Sequence, residues 1–562
     1  MRRELHLAFG LILSAALSAC HSAPKAAQNA GPTLNPVAGA TEPLYSGLGD
    51  HHRAVSTSSK DAQRYFDQGL IFTFSFNHDE AIRSYAQAAA FDPDCAMAYW
   101  GIALCNGPHI NNPAMDPDHV KAAWQALQQA QARRAHASPV EQALIDALAH
   151  RYSADPKAER GPLDKAYADA MRTANQQYPK DVDVSTLFAE SLMDLRPWDL
   201  WSHDGKPRPE TPEIIATLEH VMQVDPNHPG ANHLYIHAVE ASPDPQRALP
   251  AANRLRTLVP AAGHMVHMPA HIDIRTGRWD LAAKQNEDAI AADKTYREIS
   301  PKQGFYHIYM AHNRQFLSFA DMMRGRRAPA VKAANEMVAG VPKEFIENMG
   351  PQIDGYLAIE YECPMRFGMW DDILNMPAPP ANLPILNAFW HYTRAVSLAA
   401  KGNIDQALAE QVVFHKAADA VPADAKMAIN PAHKVLTIAD HTLNGEIAYR
   451  RGETDKAVSE LNQAVKIEDD LLYMEPPDWL VPARHALGAV LVSAGRMSEA
   501  EQVYRADLKY WPENGWSLYG LWQCLDARHD PGAAKVKQRF DKVWAGADTP
   551  LTSTCLCVTK AK

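Results

Sequence analysis

The chain has 562 residues, 46% apolar and 22% charged, and carries a formal net charge of −11. That balance excludes a disordered or fibrous chain, and it offers no extended basic surface, so nucleic acid is not an expected partner. Forty Pro against 28 Gly point to many helices with stiff corners, and 25 His with seven Cys are the counts that carry chemistry.

Arg2-Arg3 followed by an apolar run from Leu5 to Ala19 reads as an export signal, too short to span a bilayer comfortably. Its exit, Leu17-Ser18-Ala19-Cys20, resembles the lipobox of bacterial lipoproteins. The resemblance implies that 1–19 is a signal peptide and that Cys20 becomes an acylated N-terminus, a lipid anchor that holds the protein to a membrane without crossing it. His21 and Ser22 are similar to the pattern that sends such proteins to the outer membrane. Residues 20–55 are then expected as the lipidated Cys and a flexible tether, 21–44 being rich in Ala, Pro, Gly and Ser. Cys95, Cys105, Cys363, Cys524, Cys555 and Cys557 match no zinc or redox spacing, so burial is the expected role of most of them. Cys555 and Cys557 leave a soft-metal site or a disulfide open.

From residue 56 to 545 one pattern returns. Gly69, Phe72, Ala81, Tyr85, Ala88 and Pro93 are matched near the other end by Gly488, Leu491, Ala500, Tyr504 and Pro512. Such spacing describes two helices sharing a face, with small Ala allowing close approach and Pro ending the second helix. Turns at 76–80, 277–281, 402–406, 452–456 and 495–499 each precede an Ala, namely Ala81, Ala282, Ala407, Ala457 and Ala500. Ala248 and Ala282 are separated by the period of the tetratricopeptide repeat (TPR), which these segments resemble. The resemblance implies an all-α helix-turn-helix solenoid, a right-handed superhelix with irregular repeats, followed by a tail at 546–562. Three stretches interrupt the pattern: the Asn-rich run between Trp100 and Pro113, Arg196–Pro212 and Met376–Pro384. The first reads as a turn or a pocket wall. The other two read as surface loops or as lids over a groove.

Histidines concentrate in two of the repeats. His233, His237 and Glu240 share one helix face, as do His264, His267 and His271. His233 and His237 stand to Ala248 as His267 and His271 stand to Ala282, so one His-x-x-x-His pair is repeated with the array. In TPR proteins the first helices line the concave surface. Imidazoles from neighbouring helices, about 8–10 Å apart, can there meet on one ion. His233, His237, Glu240, His267 and His271 are therefore candidate ligands for Zn, Cu, Fe or Ni, with His264, His307 and His312 as secondary candidates. Metal-free ligand contacts and structural packing remain alternatives. Pro269 is expected to end or kink the second helix.

No Walker loop, Gly-x-Gly-x-x-Gly, His-Glu-x-x-His or Gly-x-Ser-x-Gly motif is present. Asn232–Arg275, Gln63–Trp100 and the stretch from Trp511 resemble bacterial TPR proteins, a likeness that implies fold without a reaction. The expected function is a membrane-anchored scaffold taking a protein or peptide in its concave groove. The alternative is a metal-dependent hydrolase or oxidase built on the His cluster.

Overall fold

Caps and left-handed turns cut the chain into helices. Ser59, Asn77 and Asp181 accept N–H groups in the first turns of Lys60–Phe74, His78–Phe91 and Val182–Met193. Gly277 and Gly495, in two of the expected turns, adopt φ of 74° and 75°, a conformation that ends a helix at no steric cost. In the computed structural model, which describes residues 33–300 and 304–558, these signals yield twenty-six α-helices and two pairs of two-residue strands. Consecutive helices pack as antiparallel pairs, and the all-helical repeat architecture is as expected. The anchoring Ala81, Ala282, Ala407, Ala457 and Ala500 are all fully buried between paired helices. No described helix is long and apolar enough to cross a membrane. The signal segment and Cys20 lie outside the described residues.

Two expectations need correction. Residues 41–55, assigned to the flexible tether, lie against the helices instead. Gln68 and Gln87 accept the N–H groups of Tyr45 and Thr41, while Arg53 and His51 both bind Asp183. Buried polar side chains of the helices thus need this segment as their partner.

Across the inner surface, the middle of the array meets its end. Trp279 Nε1 donates to Pro512 O and Trp516 Nε1 to Met322 O, both at 2.8 Å, tying the middle of the array to its end. Asp548 accepts the N–H groups of Arg327 and Ala328. The array therefore curls on itself around a cavity of about 1230 Å³. The interruptions supply part of its wall, through Ile110, Asn111, Pro197, Trp198, Asn382 and Pro384. They are more than surface loops. The tail packs as well: Thr554 Oγ1 donates to His485 O, and Cys555 and Cys557 form a disulfide.

Candidate metal centre

Helix Pro229–Val239 carries His233 and His237. Met268 and Pro269 divide the next His-rich segment into helices Gly263–His267 and Pro269–Arg275. The break expected at Pro269 is there, yet His271 still faces His267, their Nε2 atoms 2.8 Å apart. Helix Tyr306–Met323 adds His312.

The histidines form two sets, not one. One ring nitrogen each from His233, His237 and His264 lie mutually within 4.8 Å, and the same holds for His267, His271 and His312. His264 and His312, ranked second in the sequence, complete the two triads. His307 lines the cavity but joins neither. Glu240 lies between the triads, bonding His237 Nδ1 at 3.1 Å and standing 2.7 Å from His271 Nδ1. The division falls within helix Gly263–His267 itself: His264 meets His233 of the preceding repeat, while His267 meets His271 and His312. The nearest rings across the divide, His237 and His271, have centroids 5.7 Å apart.

Four of the six imidazoles have an oxygen at Nδ1. Phe74 ends its helix, so its carbonyl lacks an intrahelical partner; it accepts from His233 Nδ1 at 2.7 Å. Asn286 turns its amide by donating to Ala282 O, which presents Oδ1 to His267 Nδ1 at 2.8 Å. His271 Nδ1 is flanked by Glu240 and, at 2.9 Å, by Glu475. His233, His237 and His267 thus keep their proton on Nδ1, leaving Nε2 as the lone-pair atom. His233 Nε2, His237 Nε2 and both nitrogens of His264 are buried without a partner. Such orphaned acceptors are costly unless a cation satisfies them.

The protonation pattern agrees. Burial drives His233, His264 and His267 well below the usual imidazole range and lowers His237; it takes His312 to about 3. They are neutral at pH 7, the form that binds metal. His271 is the exception: burial alone would lower it, but Glu240 and Glu475 outweigh burial and raise it to about 10. The proton it keeps on Nε2 points at the His267 Nε2 lone pair 2.8 Å away, so the two rings share a hydrogen bond that a bound ion would have to displace.

Three partners were not visible in the sequence. Glu475 comes from a segment with no helical period, and Asn286 from the outer helix of its repeat. Phe76, in a left-handed turn at φ 56°, wedges its ring 4.6 Å from His233 and 5.7 Å from His264. His237, His264, His271 and His312 reach the cavity wall beside Trp198, Tyr309 and Glu475, so both triads open on the same space.

No protein-family model matches the chain, and no curated protein matches it. Among solved structures it is similar to the human IFIT1 dimer with m7Gppp-AAAA, at 13% identity and a TM-score of 0.33, covering 87% of this chain and 91% of that one. Yeast Tom70 is similar at 11% identity and a TM-score of 0.28, with 86% and 90% covered. The APC/C hetero-tetramer Cut9-Hcn1 gives 11% and 0.31, with 87% and 74% covered. At these scores the likeness bears on neither ligand nor site.

Proposed function

We propose that this protein is a metal-dependent enzyme whose two histidine triads hold adjacent ions at the wall of a cavity large enough to admit an organic molecule. One observation carries the reading: three of the six imidazoles have Nδ1 held by a carbonyl, amide or carboxylate oxygen, leaving the Nε2 lone pair towards the site. This outer-ligand arrangement fixes tautomer and ring orientation in metal centres. A purely structural histidine would have both nitrogens satisfied. All-imidazole sets favour Cu, Zn, Fe or Ni over Mg or Ca. Three protein ligands leave a position open for water or substrate, as catalytic sites require.

The scaffold reading retains one support, the repeat of paired helices, whose outer surface can take a protein or peptide. The cavity, with the histidines in its wall, also has the size to take a small molecule. For location, the motif ending at Cys20 supports an acylated protein exported to a bacterial outer membrane.

Elemental analysis tests the metal reading. Full-length protein isolated from membranes, its Cys20 peptide checked for acyl mass, is expected to carry about two equivalents of transition metal per chain. His233→Ala/His237→Ala and His267→Ala/His271→Ala should each lose about half. Metal absent from the wild type after reloading, or unchanged in both variants, refutes it.

A further inference from the structure

One side of the first triad leads away from the cavity through a continuous row of phenols. The Tyr309 ring lies 4.3 Å, centroid to centroid, from His264. Tyr306 follows at 5.5 Å from Tyr309, Tyr296 at 5.7 Å from Tyr306, and Tyr45 at 6.0 Å from Tyr296. The first three are 3% exposed and Tyr45 is 8% exposed, so the row runs from the buried site towards the solvent edge.

A core needs rings at such distances only for packing, but packing does not require a carboxylate at the hydroxyls of Tyr306, Tyr296 and Tyr45. Tyr306 OH donates to Asp293 Oδ1 at 3.3 Å and accepts the His264 backbone N–H at 3.1 Å. Tyr296 OH donates to Glu80 Oε2 at 2.7 Å, and Glu80 also stands beside the Tyr45 hydroxyl. Glu80 reaches the surface through Arg83, which is 30% exposed and bonds it at 2.6 Å. Neutral phenols beside acceptors can lose an electron and a proton together, without charge building up in a low-dielectric core.

Resting on the metal reading above, we infer that Tyr309, Tyr306, Tyr296 and Tyr45 form a one-electron route between the His233/His237/His264 site and the protein surface, which makes the bound ion redox-active copper or iron. Hydrogen peroxide entering the cavity takes up two electrons and two protons to leave two waters, and it oxidises the ion when no substrate is present. Tyr306 returns one electron to the ion across the Tyr309 ring as its O–H bond breaks, and its proton passes to Asp293. Tyr296 then reduces Tyr306, which recovers the proton from Asp293, while the Tyr296 proton passes to Glu80. Tyr45 reduces Tyr296 in the same way. A soluble one-electron donor such as ascorbate restores Tyr45. Each passage returns one electron, so two passages, drawing two electrons from two molecules of that donor while two protons come from water, account for each peroxide reduced, and the route discharges the site before its ligands are oxidised.

The test is freeze-quench electron paramagnetic resonance on full-length protein loaded with copper(I) or iron(II) and mixed with hydrogen peroxide. A tyrosyl signal that ascorbate removes is expected. Tyr306→Phe should lose it, and Tyr296→Phe should keep a signal that ascorbate no longer removes, both with the wild-type metal content and melting temperature; Tyr504→Phe, far from the row, should behave as wild type. Metal-loaded protein that gives no tyrosyl signal, or a signal unchanged in both variants, overturns the route and leaves the metal reading intact. A site that accepts only zinc overturns it in the same way. Failure to bind any metal overturns both.

Discussion

At the scale of single residues, the metal proposed at the second triad depends on Asn286, which orients one of its rings. His267 Nε2 stands 2.8 Å from that of His271, so it can offer a lone pair to an ion only if His267 keeps its proton on Nδ1 and His271 gives up the proton between them. Asn286 Oδ1 enforces this, because the Asn286 amide nitrogen is already committed to Ala282 O and the group cannot turn. Asn286→Leu, similar in volume, removes the acceptor and frees the ring to change tautomer. Losing such an outer partner weakens metal binding by about 10–100-fold. Chelator competition should show that loss for one equivalent of metal, with the equivalent held by His233, His237 and His264 unchanged. Equal weakening of both, or of neither, would mean that Asn286 only packs.

At the scale of helices, the same contact appears at both ends of the array. Tyr85 is held between Gly69 and Gly101, where an added Cβ would lie 2.7 and 2.6 Å from its ring; Tyr504 is held between Gly488 and Gly520 at 2.4 and 2.2 Å. Ala is the better helix former by about 1 kcal/mol, but overpacking a tight core costs about 1–3 kcal/mol, and a ring locked from two sides cannot yield. Gly488→Ala is therefore expected to destabilise the protein by about 1–2 kcal/mol net in urea unfolding. A gain in stability would show that the ring has room. This contact was legible in the sequence, since Gly69 with Tyr85 and Gly488 with Tyr504 recur at local spacing within one repeat. The His-x-x-x-His pairs were legible for the same reason. Their division into two triads was not, because it depends on how His264 and His267, three residues apart on one short helix, turn their rings towards different neighbours. Glu475 was invisible too: it reaches His271 from a segment far along the chain that has no period of its own. Nor could local spacing reveal the closure of the groove, which rests on Trp279 and Trp516 meeting carbonyls of remote helices.

At the scale of the whole molecule, closure buries carboxyl groups where the array meets itself, and this gives stability a definite pH dependence. Glu362 accepts the Leu480 N–H, and burial pushes its carboxyl up to about 8; Asp478 nearby and Glu446 are pushed up to about 7. A carboxyl raised in the folded state holds a proton that the unfolded chain has already released near pH 4–4.5. The folded state then binds more protons, and stability falls as pH rises through this interval until the folded carboxyl also ionises. Buried neutral histidines act in the opposite sense, since burial lowers His78 to about 4 and His312 to about 3. Their contribution rises with pH only up to the unfolded histidine value near 6.5 and is flat above it. Between pH 6.5 and 8 the carboxyls are no longer opposed by these histidines, and His271, held protonated by Glu240 and Glu475, adds a loss of the same sign. Chelator-treated protein should therefore become less stable from pH 6.5 to 8, each group still protonated contributing a slope of about 1.4 kcal/mol per pH unit. Glu362→Gln, which keeps the acceptor for Leu480 but cannot ionise, should reduce that slope by about one group's share while leaving the fold unchanged by circular dichroism. Unfolding free energy that is flat or rising over this range, or a slope untouched by the substitution, would show that these carboxyls are ionised and paired in the folded protein.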